Sequence, residues 1–358
     1  MKTLLLVLYF FINTAYAKNL AVTLVLPDKQ GPIFWQFVSD VSQSASLSLN
    51  IDLEIIYGDS NRFALKNTID KLLLRKQKPD YLIFRPFLGN TVSIFDDLEK
   101  NQLKFVTLEQ AFHGKMEQKT GSPQQKYKYW LGQINYDNKA GGELLLNTLV
   151  AAQLKKRPND KIYVTAISGD FDKVSKDREY IFSQNKKINL LGNITINQII
   201  PMYWDPNNVT ERFSMLEKRY PNTNIYWCAG DQLALKVLEL KGDKDLVIGG
   251  FDWLPVALQK IKKGELDASV GGHFLMATIG LIKIVDYENG FNTFLNPPLL
   301  NKFEVITRAN IDSHLAFFEK KLWQKINFNS YLASQNKQPP LLSITNLIEK
   351  YNQEKAVK

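Results

Sequence analysis

Three short apolar runs in the middle of the chain each end at a polar side chain. They read Ile225-Tyr226-Trp227-Cys228-Ala229-Gly230-Asp231, Leu246-Val247-Ile248-Gly249-Gly250-Phe251-Asp252 and Ala268-Ser269-Val270-Gly271-Gly272-His273. Runs this short, β-compatible and without a polar face suit strands buried on both sides of a parallel sheet. Helix-like stretches follow the first two, over 232–240 and 255–263. An open α/β sheet leaves its crevice outside the carboxyl ends of its strands. Asp231, Asp252 and His273 therefore stand around one crevice, and the pattern points to binding before it points to any reaction.

The same alternation runs through most of the chain. Strands are expected at 20–26, 53–57, 81–84 and 105–108, with helices at 34–49, 62–75 and 91–101 between them. After a polar stretch at 114–128, further strands are expected at 162–167, 194–202, 225–228, 246–248 and 268–270, then a return strand at 302–307. Helices fill 138–154, 174–185 and 209–220, and 273–286 is helical in pattern and rich in small residues. Strands alternating with helices in two series predict an α/β protein of two doubly wound parallel-sheet lobes joined by hinge strands. The expected division is a first lobe at 18–110 plus 274–304, a second at 111–273 plus 305–345, and a polar tail at 346–358. Hinges are expected near 108–113, 273–277 and 303–310.

Lys2, the apolar stretch at 4–12 and the Ala15-Tyr16-Ala17 pattern read as a cleavable secretory signal at 1–17. The apolar stretch is well short of the roughly 20 residues that a membrane span requires, so the mature chain is expected to be exported to a bacterial periplasm. A chain of 358 residues with 45% hydrophobic content can bury a large core. The single Cys228 lies in an apolar run and forms no intramolecular disulfide, so it reads as a buried structural thiol. The net charge of +9 comes from scattered lysines rather than a basic cluster interleaved with aromatics, so nucleic acid is not an expected partner.

Motifs for nucleophilic, nucleotide or zinc chemistry do not occur, and the three histidines, His113, His273 and His314, lie far apart. No metal and no cofactor is expected. Paired carboxylates such as Asp231 and Asp252 are the route by which hydrolysis would have to proceed, since their separation is not legible in sequence. Phe34-Trp35 stands at the first strand-to-helix junction, either as a first-turn core contact or as a stacking platform, and Trp204 follows its own strand in the same relation. Arg85, Glu109-Gln110 and Arg178 also fall at carboxyl edges; Arg178 otherwise reads as a surface partner of Glu179. Sugar rings pack C–H faces on aromatic rings while their hydroxyls take charged, bidentate partners.

These blocks resemble the type I periplasmic solute-binding proteins, in particular the sugar-binding branch of ribose- and galactose-type binders, with the autoinducer-binding sensor adaptors as near relatives. The likeness runs over 20–307 and is strongest in Trp227-Cys228-Ala229-Gly230-Asp231-Gln232-Leu233-Ala234, Gly249-Gly250-Phe251-Asp252 and Gly264-Glu265-Leu266-Asp267-Ala268-Ser269. Asn135-Tyr136-Asp137-Asn138 and Ser168-Gly169 through Arg178 are also similar. The resemblance implies ligand contacts from Phe34, Trp35, Arg85, Glu109, Arg178, Trp204, Asp231, Asp252 and His273. It implies a non-enzymatic, monomeric receptor that closes on a small polyhydroxylated or anionic sugar-like ligand. The implied partner is an inner-membrane ABC permease, or alternatively a sensor kinase or cyclase receptor. Gly230 stands where the family usually has Asn, and Arg85, Glu109-Gln110 and His273 replace a common Asn, Asp-Arg and Gln.

Overall fold

The computed structural model describes residues 19–30, 33–59, 61–109, 112, 114–184, 194–295 and 300–356. The expected leader, Gln110 and His113 lie outside the described residues. The first lobe carries β1 (Leu20–Leu26), β2 (Ile51–Tyr57), β3 (Tyr81–Phe84), β4 (Lys104–Leu108) and β5 (Trp130–Ile134), ordered β2-β1-β3-β4-β5 and parallel throughout. The second carries β6 (Ile162–Ser168), β7 (Ile194–Pro201), β8 (Ile225–Cys228), β9 (Val247–Phe251), β10 (Ala268–Gly271) and β11 (Glu304–Thr307), ordered β11-β10-β9-β8-β6-β7. Only its β10–β11 pair is antiparallel among the described strands. Every residue of β3, β8, β9 and β10 is buried, which is why these strands read as unbroken apolar runs. Cys228 lies in β8, buried and unpaired.

The first lobe extends past the expected boundary at 110. Trp130–Ile134 pairs with β4 and forms the edge of its sheet. Gly132 interrupts the apolar pattern of this strand because a Cβ there would lie 2.4 Å from the ring of Phe294. Consequently the chain passes between lobes at 135–136 rather than near 108–113, and passes again at Gly272 and around Asn301. The three passages are tied to one another. Asn301 donates from its backbone and side chain to the Asn135 carbonyl, at 3.0 and 2.9 Å, and its own carbonyl accepts from Asp137 N–H. The Tyr136 hydroxyl donates to the Gly272 carbonyl at 3.1 Å.

The expected polar tail is a helix, Ile344–Ala356. Ile344, Leu347 and Ile348 fall at helical spacing and are buried against the core, while the Glu304 carboxylate accepts the Ile344 and Thr345 N–H groups at the helix start. Thr345, Glu349, Asn352 and Gln353 are exposed. Among the described residues no helix is long and apolar enough to cross a membrane.

Candidate functional site

Several of the expected contact residues sit where the backbone turns sharply just after a strand. Glu109 follows β4 with φ of 63°, Trp204 lies beyond β7 at 59° beside Tyr203 at 54°, and Asp252 follows β9 at 106° beside Trp253 at 58°. Left-handed backbone at residues with a Cβ costs on the order of 1–3 kcal/mol each and persists where surrounding contacts enforce it. Those contacts are present. Tyr203 N–H donates to the Gly169 carbonyl, Trp204 accepts from Gln232 through its carbonyl, and Asp252 N–H donates to Val270. Gly169 is required here, because a Cβ would lie 2.2 Å from the Trp204 indole.

Arg178 is the centre of the crevice. It is 2% exposed, and its guanidinium donates to Asn138 Oδ1 at 3.0 Å and the Ala229 carbonyl at 2.6 Å. The same group lies 3.3 Å from His273 Nε2 and 3.9 Å from Asp252 Oδ1, with the Phe251 ring 4.3 Å beneath it and the rings of Trp204 and Phe303 each 5.8 Å away. Burial lowers the pKa of Arg178 from its ordinary value, and Asp252, Glu109 and Asp172 oppose that shift. His273 Nε2 also approaches Asp252 Oδ1 at 3.3 Å. Burial lowers the His273 pKa against the hydrogen bond that Asp252 accepts, which favours the neutral ring. Its Nδ1 is shut off from solvent and has no partner among the described residues.

Phe34, on the helix Ile33–Ser48, reaches from the first lobe onto this cluster. Its ring lies 4.5 Å from that of His273 at an interplanar angle of 30°, and Trp35 packs edge-on to it at 5.0 Å. Arg85, just beyond β3, bridges the lobes: its guanidinium donates to Glu109 at 2.7 Å on its own side and to Asp172 at 2.9 Å on the other. Burial disfavours the Arg85 charge, but the two carboxylates more than offset it and hold its pKa above the ordinary value. Burial likewise raises Asp172, and Arg85 with the Ser175 N–H overturns this, leaving its pKa below the usual carboxylate value.

Asp231 stands apart from the other expected contacts. It is completely buried, and its carboxylate accepts from Ser269 Oγ at 2.8 and 2.9 Å and from Leu254 N–H at 2.9 Å. Burial and the nearby Asp252 push its pKa well up. Asp231 therefore fastens the turn that carries Asp252. Gly230, by contrast, is not imposed by packing: a Cβ there would rest 3.4 Å from Asp252 Oδ2, an ordinary contact. Sequence reasoning did not single out Asn138, Asp172 or Phe303 as part of the cluster. Asn138 lay in a noted block, and Asp172 carried a helix-capping signal in its spacing to Ser175, whose N–H it accepts at 2.8 Å.

Arg178 reaches its place because Gly142 lets two helices touch. A Cβ at Gly142 would lie 1.9 Å from the Arg178 carbonyl oxygen, with backbone on both sides and no side chain free to yield. Gly142→Ala is expected to lower folding stability by about 1–3 kcal/mol, read as a fall in the urea-unfolding midpoint. An unchanged midpoint would mean that the contact is not as tight as the geometry states.

Solved structures share this architecture. A periplasmic sugar-binding protein from Pseudomonas fluorescens superposes with a TM-score of 0.78 at 21% identity, covering 92% of this chain and 99% of the other. A galactofuranose binding protein gives 0.69 at 16% identity, with 84% and 99% covered. An ABC transporter periplasmic solute binding protein from Actinobacillus succinogenes with bound D-allose gives 0.68 at 16% identity, with 82% and 99% covered. At such identities the likeness is one of fold. No curated protein matches the chain. The family model described as the periplasmic binding protein domain matches residues 22–279, nearly three quarters of the sequence and, apart from Phe303, all of the crevice residues described above, and this chain belongs to that family.

Proposed function

We propose that this protein is an exported, non-enzymatic receptor that closes on a neutral sugar or sugar-like polyol and delivers it to an inner-membrane ABC permease. The observation that carries the reading is the convergence, between two lobes, of aromatic rings on one buried polar cluster. Phe34 and Trp204 come from opposite lobes and both adjoin the cluster of Arg178, Asp252 and His273. Aromatic faces suit the C–H patches of a sugar ring, and charged groups in a dry site make strong hydrogen bonds to its hydroxyls.

Charge selects between the two ligand classes that the sequence leaves open. Two guanidiniums, Arg85 and Arg178, face three carboxylates, Glu109, Asp172 and Asp252, and His273 adds no charge. With two positive groups against three negative ones the crevice has no spare cation for an anion, so a polyhydroxylated neutral ligand is favoured over a sugar acid. The solved relatives that hold D-allose or bind galactofuranose support the same choice.

A thermal-shift panel of neutral saccharides, including D-allose and galactofuranose, set against sugar acids tests the proposal. A ligand present at 100 times its Kd stabilises the folded state by about 2.7 kcal/mol. The expected result is a shift with a neutral saccharide that Asp252→Ala abolishes while the variant remains folded. A shift with sugar acids alone would overturn the charge argument. No shift with any saccharide, or product formed from one, would overturn the receptor itself.

A further inference from the structure

Two glycines flank the Trp204 ring in the crevice, and packing requires only one of them. A Cβ at Gly169 would lie 2.2 Å from the ring. One at Gly230 would meet nothing nearer than Asp252 Oδ2 at 3.4 Å and Trp204 Cζ3 and Cε3 at 3.6 and 3.8 Å. The backbone does not require glycine at 230 either, since its φ of −150° and ψ of 153° lie in the extended region open to every residue. Gly230 caps the helix Asp231–Leu240 with no side-chain hydrogen bond, and serine or asparagine would cap that helix at least as well. Neither packing, backbone nor capping accounts for the missing side chain. What a glycine offers in its place is a close approach to the backbone, here between an aromatic ring and a carboxylate.

Those two neighbours define what can approach. Asp252 turns Oδ1 toward Arg178 at 3.9 Å and His273 at 3.3 Å. Its Oδ2, the atom nearest the missing Cβ, has no hydrogen-bond donor among the described residues. The Asp252 side chain is 17% exposed, so a ligand can reach it. A carboxylate oxygen takes a hydroxyl donor, while the indole ring takes a C–H group. A carbinol group, –CH2OH, supplies both from one carbon.

We propose that Gly230 sets the size of the ligand: its bare backbone admits the exocyclic hydroxymethyl group of a hexose, with the carbon against Trp204 and the hydroxyl donating to Asp252 Oδ2. This role for Gly230 rests on the saccharide reading of the crevice and narrows it to saccharides that carry such a group. Any side chain at 230 would stand in the approach.

Calorimetric titration with three matched pairs tests the role: D-allose and D-ribose, D-galactose and L-arabinose, D-glucose and D-xylose. Within each pair the pyranose rings share their hydroxyl configuration and differ by the hydroxymethyl group. At least one hexose is expected to bind the natural protein roughly 10- to 200-fold more tightly than its pentose, the range for one carbon in a fitted pocket. Gly230→Ala should weaken that hexose by about tenfold or more and its pentose by less than about threefold, so that the preference collapses. Gly230→Ser should do the same without lowering the unfolding temperature of the ligand-free protein, because its hydroxyl can cap the helix. The role is overturned if no hexose binds better than its pentose, if the preference survives both variants, or if both sugars are lost equally. Failure of both variants to fold would also overturn it, since packing would then require the glycine. Should the natural protein bind no saccharide at all, the receptor reading falls and the role of Gly230 with it; pentoses that bind as well as hexoses remove the role of Gly230 alone.

Discussion

Arg178→Met will lower the folding stability by about 3–5 kcal/mol, the cost of breaking a buried ion-pair network by removing one member. Among the described residues the guanidinium is the only donor to the Asn138 side-chain oxygen, and it also serves the Ala229 carbonyl and lies beside Asp252. Methionine fills much of the volume against Phe251, so the loss is one of hydrogen bonds and charge compensation rather than of packing. Denaturant unfolding at pH 7 measures it, and the saccharide-induced thermal shift should vanish in the same variant. A loss below about 1 kcal/mol would mean that the buried arginine does not organise the crevice.

The second large effect concerns the lobes rather than the fold. Asp172→Asn removes the charge that holds Arg85 across the seam. A hydrogen bond between charged groups contributes about 1.5–3 kcal/mol, so the closed-to-open ratio of the ligand-free protein should fall roughly 10- to 150-fold. Small-angle scattering should then report a larger radius of gyration for the variant. Acid should have the same effect on the natural protein. The Asp172 pKa is depressed by Arg85 against the effect of burial, so its contribution is fully present above the ordinary carboxylate value of about 3.9 and is lost as pH falls through its own lower pKa. Equal radii for variant and natural protein at pH 7 would show that the lobes are held together by something else.

The sequence carried the two-lobed α/β architecture because fully buried parallel strands leave an unbroken apolar trace. β8 and β10 appear within a residue of their expected ends, while β9 starts one residue late and runs three residues further than expected. β5 was illegible for the opposite reason: Trp-Leu-Gly-Gln-Ile has a gap where Phe294 enters from a loop far along the chain. The C-terminal helix was obscured by the charged and amide residues interspersed among Ile344, Leu347 and Ile348 and beyond them. Strand-end position brought Arg178, Asp252, His273 and Trp204 onto one cluster, yet that rule does not tell a side chain that faces the crevice from one that faces the next turn. Asp231 is the second kind, and only its bonds to Ser269 and Leu254 reveal it. The Arg85–Asp172 bridge was equally hidden, since it joins residues 87 apart in sequence.

The left-handed turns at Glu109, Trp204 and Asp252 have a consequence for how such a receptor diverges. Glycine or asparagine at these positions would relax the backbone, so the residues proposed to grip the ligand are also those whose loss the scaffold would welcome. Under selection for robustness alone, grip on the ligand would be the first property to drift away and the lobes would outlast it. Relatives of equal or greater stability that have lost affinity, with small residues at these turns, are the expected fossils of that drift.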